Sequence, residues 1–279
     1  MTLRPGQSLE FRQDGYVVID SGVPEETIDA LVEELTPYMG DGHLVAEGAA
    51  VSHDNRIQDY WPVNPRVHAL ATAPAVLDAL RELYGREPKP FQTLNFRYGT
   101  EQATHSDSIH FNSEPFGLMC GVWIALEDIG PDQGPLVYYP GSQDLPEMNF
   151  EDFGLVADYA NYPEYERRLA ALIEDRRLQP EYGLIRKGEA LIWSANILHG
   201  GSPQHDKQLT RWSQVTHYYF EGARPWRPGH SASERAYFEP TWIPPVWSPP
   251  PPPAAPPGIL TRVRRGVARR IRSVASRAR

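Results

Sequence analysis

The sequence predicts a mainly β, α+β fold: an antiparallel sandwich or barrel preceded by helices. Two patterns carry this expectation. Five β-rich runs, at 91–98, 118–126, 136–139, 189–193 and 211–220, are punctuated by Gly, Pro and Asp. Upstream of them, apolar residues recur at helical spacing instead. With 279 residues and 41% hydrophobic side chains, the chain has the means to bury one large core.

Residues 16–20 read as a short β-rich run. Pro24 then opens a helix in which Ile28, Leu31, Val32 and Leu35 share one face, with Glu25 and Glu26 in its first turn. Residues 66–85 read as a second helical stretch containing Leu77, Leu80 and Leu83. An acidic helical insertion at about 162–177 interrupts the strands. Tyr165, Leu169, Leu172 and Ile173 form its apolar face. From 244 to 257, nine of fourteen residues are proline, a composition that favours extended, semi-rigid linker. The expected organisation is a domain over 1–243, a proline-rich linker over 244–258 and a basic tail over 259–279.

Charge divides the chain in the same way. The net charge is −9, but residues 259–279 hold eight Arg and no acid, so residues 1–258 carry −17. An acidic body argues against nucleic-acid binding. In the tail, Leu260, Val263, Val267, Ile271 and Val274 form one apolar stripe among the arginines. That basic amphipathic pattern suits an anionic membrane or an acidic protein surface. The single cysteine, Cys120, excludes an intramolecular disulfide framework. The first residues have no apolar signal core, and no apolar run approaches membrane-spanning length. The expected setting is the reducing cytoplasm, with the tail free to touch the inner membrane surface.

The chemistry concentrates in a few residues. His105-Ser106-Asp107 would put an imidazole and a carboxylate on one side of an extended strand, two ligands of a 2-His-1-carboxylate site for non-haem Fe(II). Chance alone supplies about one such pair in a chain with nine His and 36 acids, so the pair needs company. It has it. A buried run over 187–198 leads to His199-Gly200-Gly201-Ser202, and Arg211 follows twelve residues later. A second histidine supplies the third ligand, and an arginine one strand away can grip a carboxylate through two hydrogen bonds.

Jointly these segments resemble the phytanoyl-CoA dioxygenase-like family of Fe(II)/2-oxoglutarate oxygenases. The likeness covers about 10–222: FRQDGYVVI at 11–19, YGTEQATHSD at 98–107, GVWIALED at 121–128, GPLVYYPGS at 134–142, and the His199 and Arg211 segments. It implies a double-stranded β-helix, the jelly roll of cupin-like proteins, with N-terminal and inserted helices. It implies Fe(II), 2-oxoglutarate and O2 as cofactor and cosubstrates, and hydroxylation of a small molecule with release of succinate and CO2. By position, His105, Asp107 and His199 would ligate iron. Arg211 would bind the distal carboxylate of 2-oxoglutarate, with Ser213 adding a hydroxyl and Trp123 lining the pocket.

Two positions depart from the family pattern. Gly201 stands where a hydroxyl residue is common, and Gln143 where a histidine often follows the Pro-Gly-Ser turn. The retained carboxylate of Asp107 disfavours halogenation, in which a small residue leaves room for chloride. His110, Asn112, Ser113 and Asn196 are the candidate substrate contacts and suggest a polar molecule. Two other readings stay open: a non-catalytic jelly-roll module recruited through its tail, and the same scaffold with a desaturation or epimerisation outcome.

Overall fold

The computed structural model describes residues 3–39, 50–52 and 56–250. The tail over 259–279 and most of the proline-rich stretch lie outside the described residues. Helix α1 (Gln7–Asp14) leads into strand β1 (Tyr16–Asp20), followed by α2 (Glu25–Leu35), β2 (Ala50–Ser52) and β3 (Arg56–Gln58). The expected helix at 66–85 is two helices, α3 (Pro65–Ala71) and α4 (Pro74–Tyr84). Pro74 explains the break: its ring disfavours helical backbone at the preceding residue, and Ala73 is extended at ψ 123°. The strands follow as β4 (Pro88–Phe96), β5 (Asn112–Glu114), β6 (Met119–Ala125) and β7 (Leu136–Tyr138). After α5 (Tyr162–Arg176) come β8 (Glu181–Tyr182), β9 (Glu189–Ser194), β10 (His199–Gly201), β11 (Ser213–Phe220) and β12 (Arg224–Trp226).

Seven strands form one antiparallel sheet in the order β1-β9-β6-β11-β4-β3-β2. A smaller antiparallel sheet, β10-β7-β8, lies across from it, and β12 pairs with β5. This is the jelly-roll, cupin-like core expected from the resemblance. Every residue of β6 and of β11 is buried, because both faces of the large sheet are covered. Side chains alternate between those faces with period two. Cys120, Val122 and Ile124 of β6, Ala190 and Ile192 of β9, and Tyr218 and Phe220 of β11 pack with Ile28, Leu31, Val67, Val76 and Leu80 of the helices. Trp123, Leu191, Trp193 and Val215 turn the other way and pack with Tyr138, Ile185 and Ile197.

Helix α5 buries Tyr165 and Leu169 against Ile109, Phe150 and Leu198, as its apolar spacing predicts. The compact unit runs to Ser248, five residues past the expected boundary at 243. The reason is local bonding: the Pro244 carbonyl lies 2.6 Å from Nε2 of His68, and the Trp247 indole donates to the Trp61 carbonyl at 3.1 Å. Among the described residues, no helix is long and apolar enough to cross a membrane.

Candidate active site

His105 and His199 are neighbours because their backbones are. They form an isolated antiparallel bridge with two hydrogen bonds, His105 N–H to the His199 carbonyl at 2.8 Å and the reverse at 2.9 Å. Directly opposite residues of such a pair project their side chains to one face. The two imidazole centres lie 4.6 Å apart. Asp107 reaches them from a different backbone form than expected. It opens a 3-10 turn, Asp107–Ile109, instead of continuing a strand, with Ser106 capping the turn through the Ser108 N–H.

The ligand-type atoms of His105, Asp107 and His199 all lie within 4.8 Å of one another, and all three residues are buried. Asp107 Oδ1 is 3.8 Å from His105 Nε2 and 3.7 Å from His199 Nε2. These separations are too long for direct hydrogen bonds and short enough to share one cation. The tautomers also fit. His105 Nδ1–H donates to the Ala103 carbonyl at 2.9 Å, and His199 Nδ1–H to the Ile197 carbonyl at 3.1 Å. Carbonyls only accept, so the Nε2 of each ring is the nitrogen turned to the cluster and free to offer a lone pair to a cation.

The other carboxylate oxygen of Asp107 is held from behind. Its Oδ2 accepts the Trp193 indole N–H at 2.8 Å, and His217 Nε2 lies 3.5 Å away. Burial alone would push the Asp107 carboxyl up, but the facing imidazoles of His199, His217 and His105 outweigh it and hold the group well below the usual carboxylate range. Burial, reinforced by His199, pushes His105 down to about 3, so it stays neutral at physiological pH.

Arg211 is 2% exposed and enters the same cavity, of about 690 Å³. Among the described residues its guanidinium makes two long bonds, to the Gly134 carbonyl at 3.2 Å and the Tyr98 carbonyl at 3.4 Å, and its Nε–H has no acceptor. Burial lowers it to about 10, which leaves it cationic at neutral pH. Trp123 lies beneath it, ring centre 5.5 Å from the guanidinium carbon, and its indole N–H also lacks a partner. A buried cation and two unsatisfied donors on one cavity suit a carboxylate-bearing guest. The donor set of His105, Asp107 and His199 suits Fe(II), and this end of the cavity suits 2-oxoglutarate.

The remaining expectations divide. His110 lines the cavity, with its ring nitrogens 3.2 Å from the hydroxyls of Tyr159 and Tyr162. Asn112, Ser113 and Asn196 are not among the residues that line it, and each is bonded elsewhere. Asn112 bonds Glu147 and the Ser113 N–H, the Ser113 hydroxyl donates to the Pro115 carbonyl, and Asn196 donates to the Gln143 and Leu145 carbonyls. Ser213 sits beside Arg211, but its hydroxyl donates to the Arg211 carbonyl and not toward the cavity.

The departures from the family pattern have steric and local causes. A Cβ on Gly201 would lie 2.8 Å from the Glu101 nitrogen, so no side chain fits there. Gln143 instead ties the end of α1 through the Arg12 and Gln13 carbonyls.

Trp193 and His217 were not anticipated. Counting in twos along the strand from Arg211 reaches Val215 and His217, so periodicity held that signal. Trp193 needed the tertiary fold. It can lie flat on β6 only because Gly121 has no side chain; a Cβ there would come within 2.2 Å of the indole.

Comparison with known proteins follows the same line. Residues 11–211 match the phytanoyl-CoA dioxygenase (PhyH) family. A curated relative, phytanoyl-CoA dioxygenase domain-containing protein 1 of Bos taurus, is 23% identical over 190 residues, covering 50% of this chain and 65% of the relative. The Mus musculus protein of the same name is 30% identical over 83 residues, 28% of each chain. The chain thus spans at most about two thirds of the curated relatives it matches.

Among solved structures, the 2-oxoglutarate-dependent carbocyclase SnoK from nogalamycin biosynthesis superposes with a TM-score of 0.65 at 17% identity, covering 90% of this chain and 94% of that one. EctD from S. alaskensis, solved with 2-oxoglutarate and 5-hydroxyectoine, gives 0.62 at 19% identity, covering 84% and 82%. These likenesses establish the fold. With the family match over 11–211, the chain belongs to the phytanoyl-CoA dioxygenase (PhyH) family of iron- and 2-oxoglutarate-dependent oxygenases.

Proposed function

We propose that the protein is a dioxygenase that hydroxylates a small, polar molecule. The observation that carries this reading is the convergence of His105 Nε2, His199 Nε2 and Asp107 Oδ1 in a cavity that also holds the buried cation Arg211, which has no carboxylate partner among the described residues. In this reading His105, Asp107 and His199 hold iron. Arg211 pairs with the distal carboxylate of 2-oxoglutarate, and Trp123 forms the floor beneath it. When bound, iron and 2-oxoglutarate supply the oxidising chemistry, in which O2 is consumed, succinate and CO2 are released and one oxygen atom enters the substrate.

The chain's own contribution is placement and insulation. Backbone carbonyls of Ala103 and Ile197 fix the two imidazole tautomers. The Trp193 N–H fixes the carboxylate plane of Asp107, and the apolar packing of Leu94, Phe96 and Val215 excludes water from the cosubstrate end.

The test is anaerobic titration with Fe(II) and 2-oxoglutarate, followed by the visible metal-to-ligand charge-transfer band. No band, together with no succinate formed in air, would sink the reading. A one-oxygen mass gain in the product separates hydroxylation from desaturation or epimerisation. For the remainder of the chain we propose that residues past Ser248 form a linker and basic tail that brings a cytoplasmic enzyme to anionic membranes. Equal flotation of the full chain and a form ending at Ser248 on anionic vesicles would remove that idea.

A further inference from the structure

Besides Arg211, the cavity is lined by Arg56 of β3 and by Arg227, just past β12. Arg227 is held by rings. Its guanidinium carbon lies 5.2 Å from the ring centre of Phe111 and 4.4 Å from that of Phe238, and among the described residues it has no carboxylate partner. Cation–π contact with two rings steadies a guanidinium without using up its N–H donors, which stay available to a ligand.

Two rings, Phe111 and His217, lie between this cation and the ligand cluster. Phe111 is 5.6 Å from His217, which faces Asp107, and His110 is 5.7 Å from His105. His110 stacks on Tyr159, 5.8 Å apart and 11° from parallel, and lies 5.2 Å from Tyr162. Besides Asp107, the lining holds one acid, Glu166, and its charge is felt at Tyr162. The lining from Phe111 to Arg227 is thus aromatic and cationic at its end, although the body of the protein is strongly acidic.

We propose that Arg227 anchors an anionic group of the substrate, whose flat or unsaturated body lies along His110, Phe111 and Tyr159. The substrate class is then a carboxylate or phosphate ester on a ring-bearing skeleton. The inference rests on the oxygenase reading of the cavity. It goes beyond that reading by naming the group recognised and the residue that recognises it.

The test uses the full chain with Fe(II) and saturating 2-oxoglutarate under anaerobic conditions, so that the cosubstrate occupies Arg211. The probes are 2-naphthoate and 2-naphthyl phosphate, each against the neutral methyl 2-naphthoate, with binding read by tryptophan fluorescence and thermal shift. At least one acid should bind about tenfold more tightly than the ester, as a charge-assisted hydrogen-bond pair implies. Arg227→Leu should abolish that preference, and Arg227→Lys should keep part of it, while the charge-transfer band persists in both. If neither acid binds ahead of the ester, or if the preference survives in Arg227→Leu, the proposal is overturned. A missing band with the acid preference intact would instead sink the oxygenase reading and spare the anion site.

Discussion

The two ends of the cavity are built from different material. The end that faces Arg211 is made of sheet. Trp123, Trp193 and His217 project from adjacent strands β6, β9 and β11, whose register is fixed by continuous backbone pairing. The other end is made of connections: His110 follows a 3-10 turn, Tyr159 and Tyr162 precede or open α5, and Arg227 follows β12. The difference teaches where each kind of specificity resides. Of the groups that would hold an ion, His105 and His199 sit on paired backbone and Asp107 opens the turn just past it, whereas the groups that would choose a substrate sit where insertions are tolerated.

This contrast can be broken by substitution. The largest effect belongs to the cluster itself. His105→Ala, Asp107→Ala and His199→Ala should each abolish the charge-transfer band and 2-oxoglutarate turnover; a variant that keeps both would remove that residue from the iron set. Next comes Arg211→Ala, which should raise the 2-oxoglutarate requirement about a hundredfold, the cost of removing one partner of a buried charge pair. Because the ion ligands are untouched, Fe(II) affinity should hold, and a steady-state titration of the cosubstrate checks the split.

Trp193→Phe is a finer probe. It deletes the N–H that fixes Asp107 Oδ2 while keeping most of the ring, so Fe(II) should bind about tenfold more weakly, measured by competition with a chelator. Unchanged affinity would reduce Trp193 to packing.

The smallest effect tests the other end. His110 titrates at about 4 in the fold against 6.5 as the ordinary value, because burial disfavours its charged form. Its folded pKa is therefore depressed, so the unfolded chain takes up the proton first as pH falls. The stability linked to it is present above about 6.5 and is lost as pH drops toward 4. In the metal-free protein, His110→Phe should flatten the fall in melting temperature across that window. An unchanged slope would show that other groups carry it.

Much of this was legible before the structure. Strands at 118–126 and 189–193 are readable because two covered faces demand long apolar runs, and the edge strand at 16–20 because it is rich in β-branched residues and its burial alternates. His105, Asp107, His199 and Arg211 were readable because their types and order carry the family pattern. Asn112, Ser113 and Asn196 are harder to read, because a polar residue near a ligand in sequence has two uses, and all three bond to nearby backbone.

By itself, then, the sequence determined the element types, the acidic body with its basic tail, and the residues able to bind a metal and a carboxylate. Local propensity and residue chemistry suffice for these. Tertiary structure alone decided the rest. It brought His105 opposite His199 across 94 residues, put Trp193 behind Asp107 through the space that Gly121 leaves, and carried Arg227 to the rim of the same cavity. Such meetings depend on sheet register and on the volumes of neighbouring side chains, and no single segment encodes either.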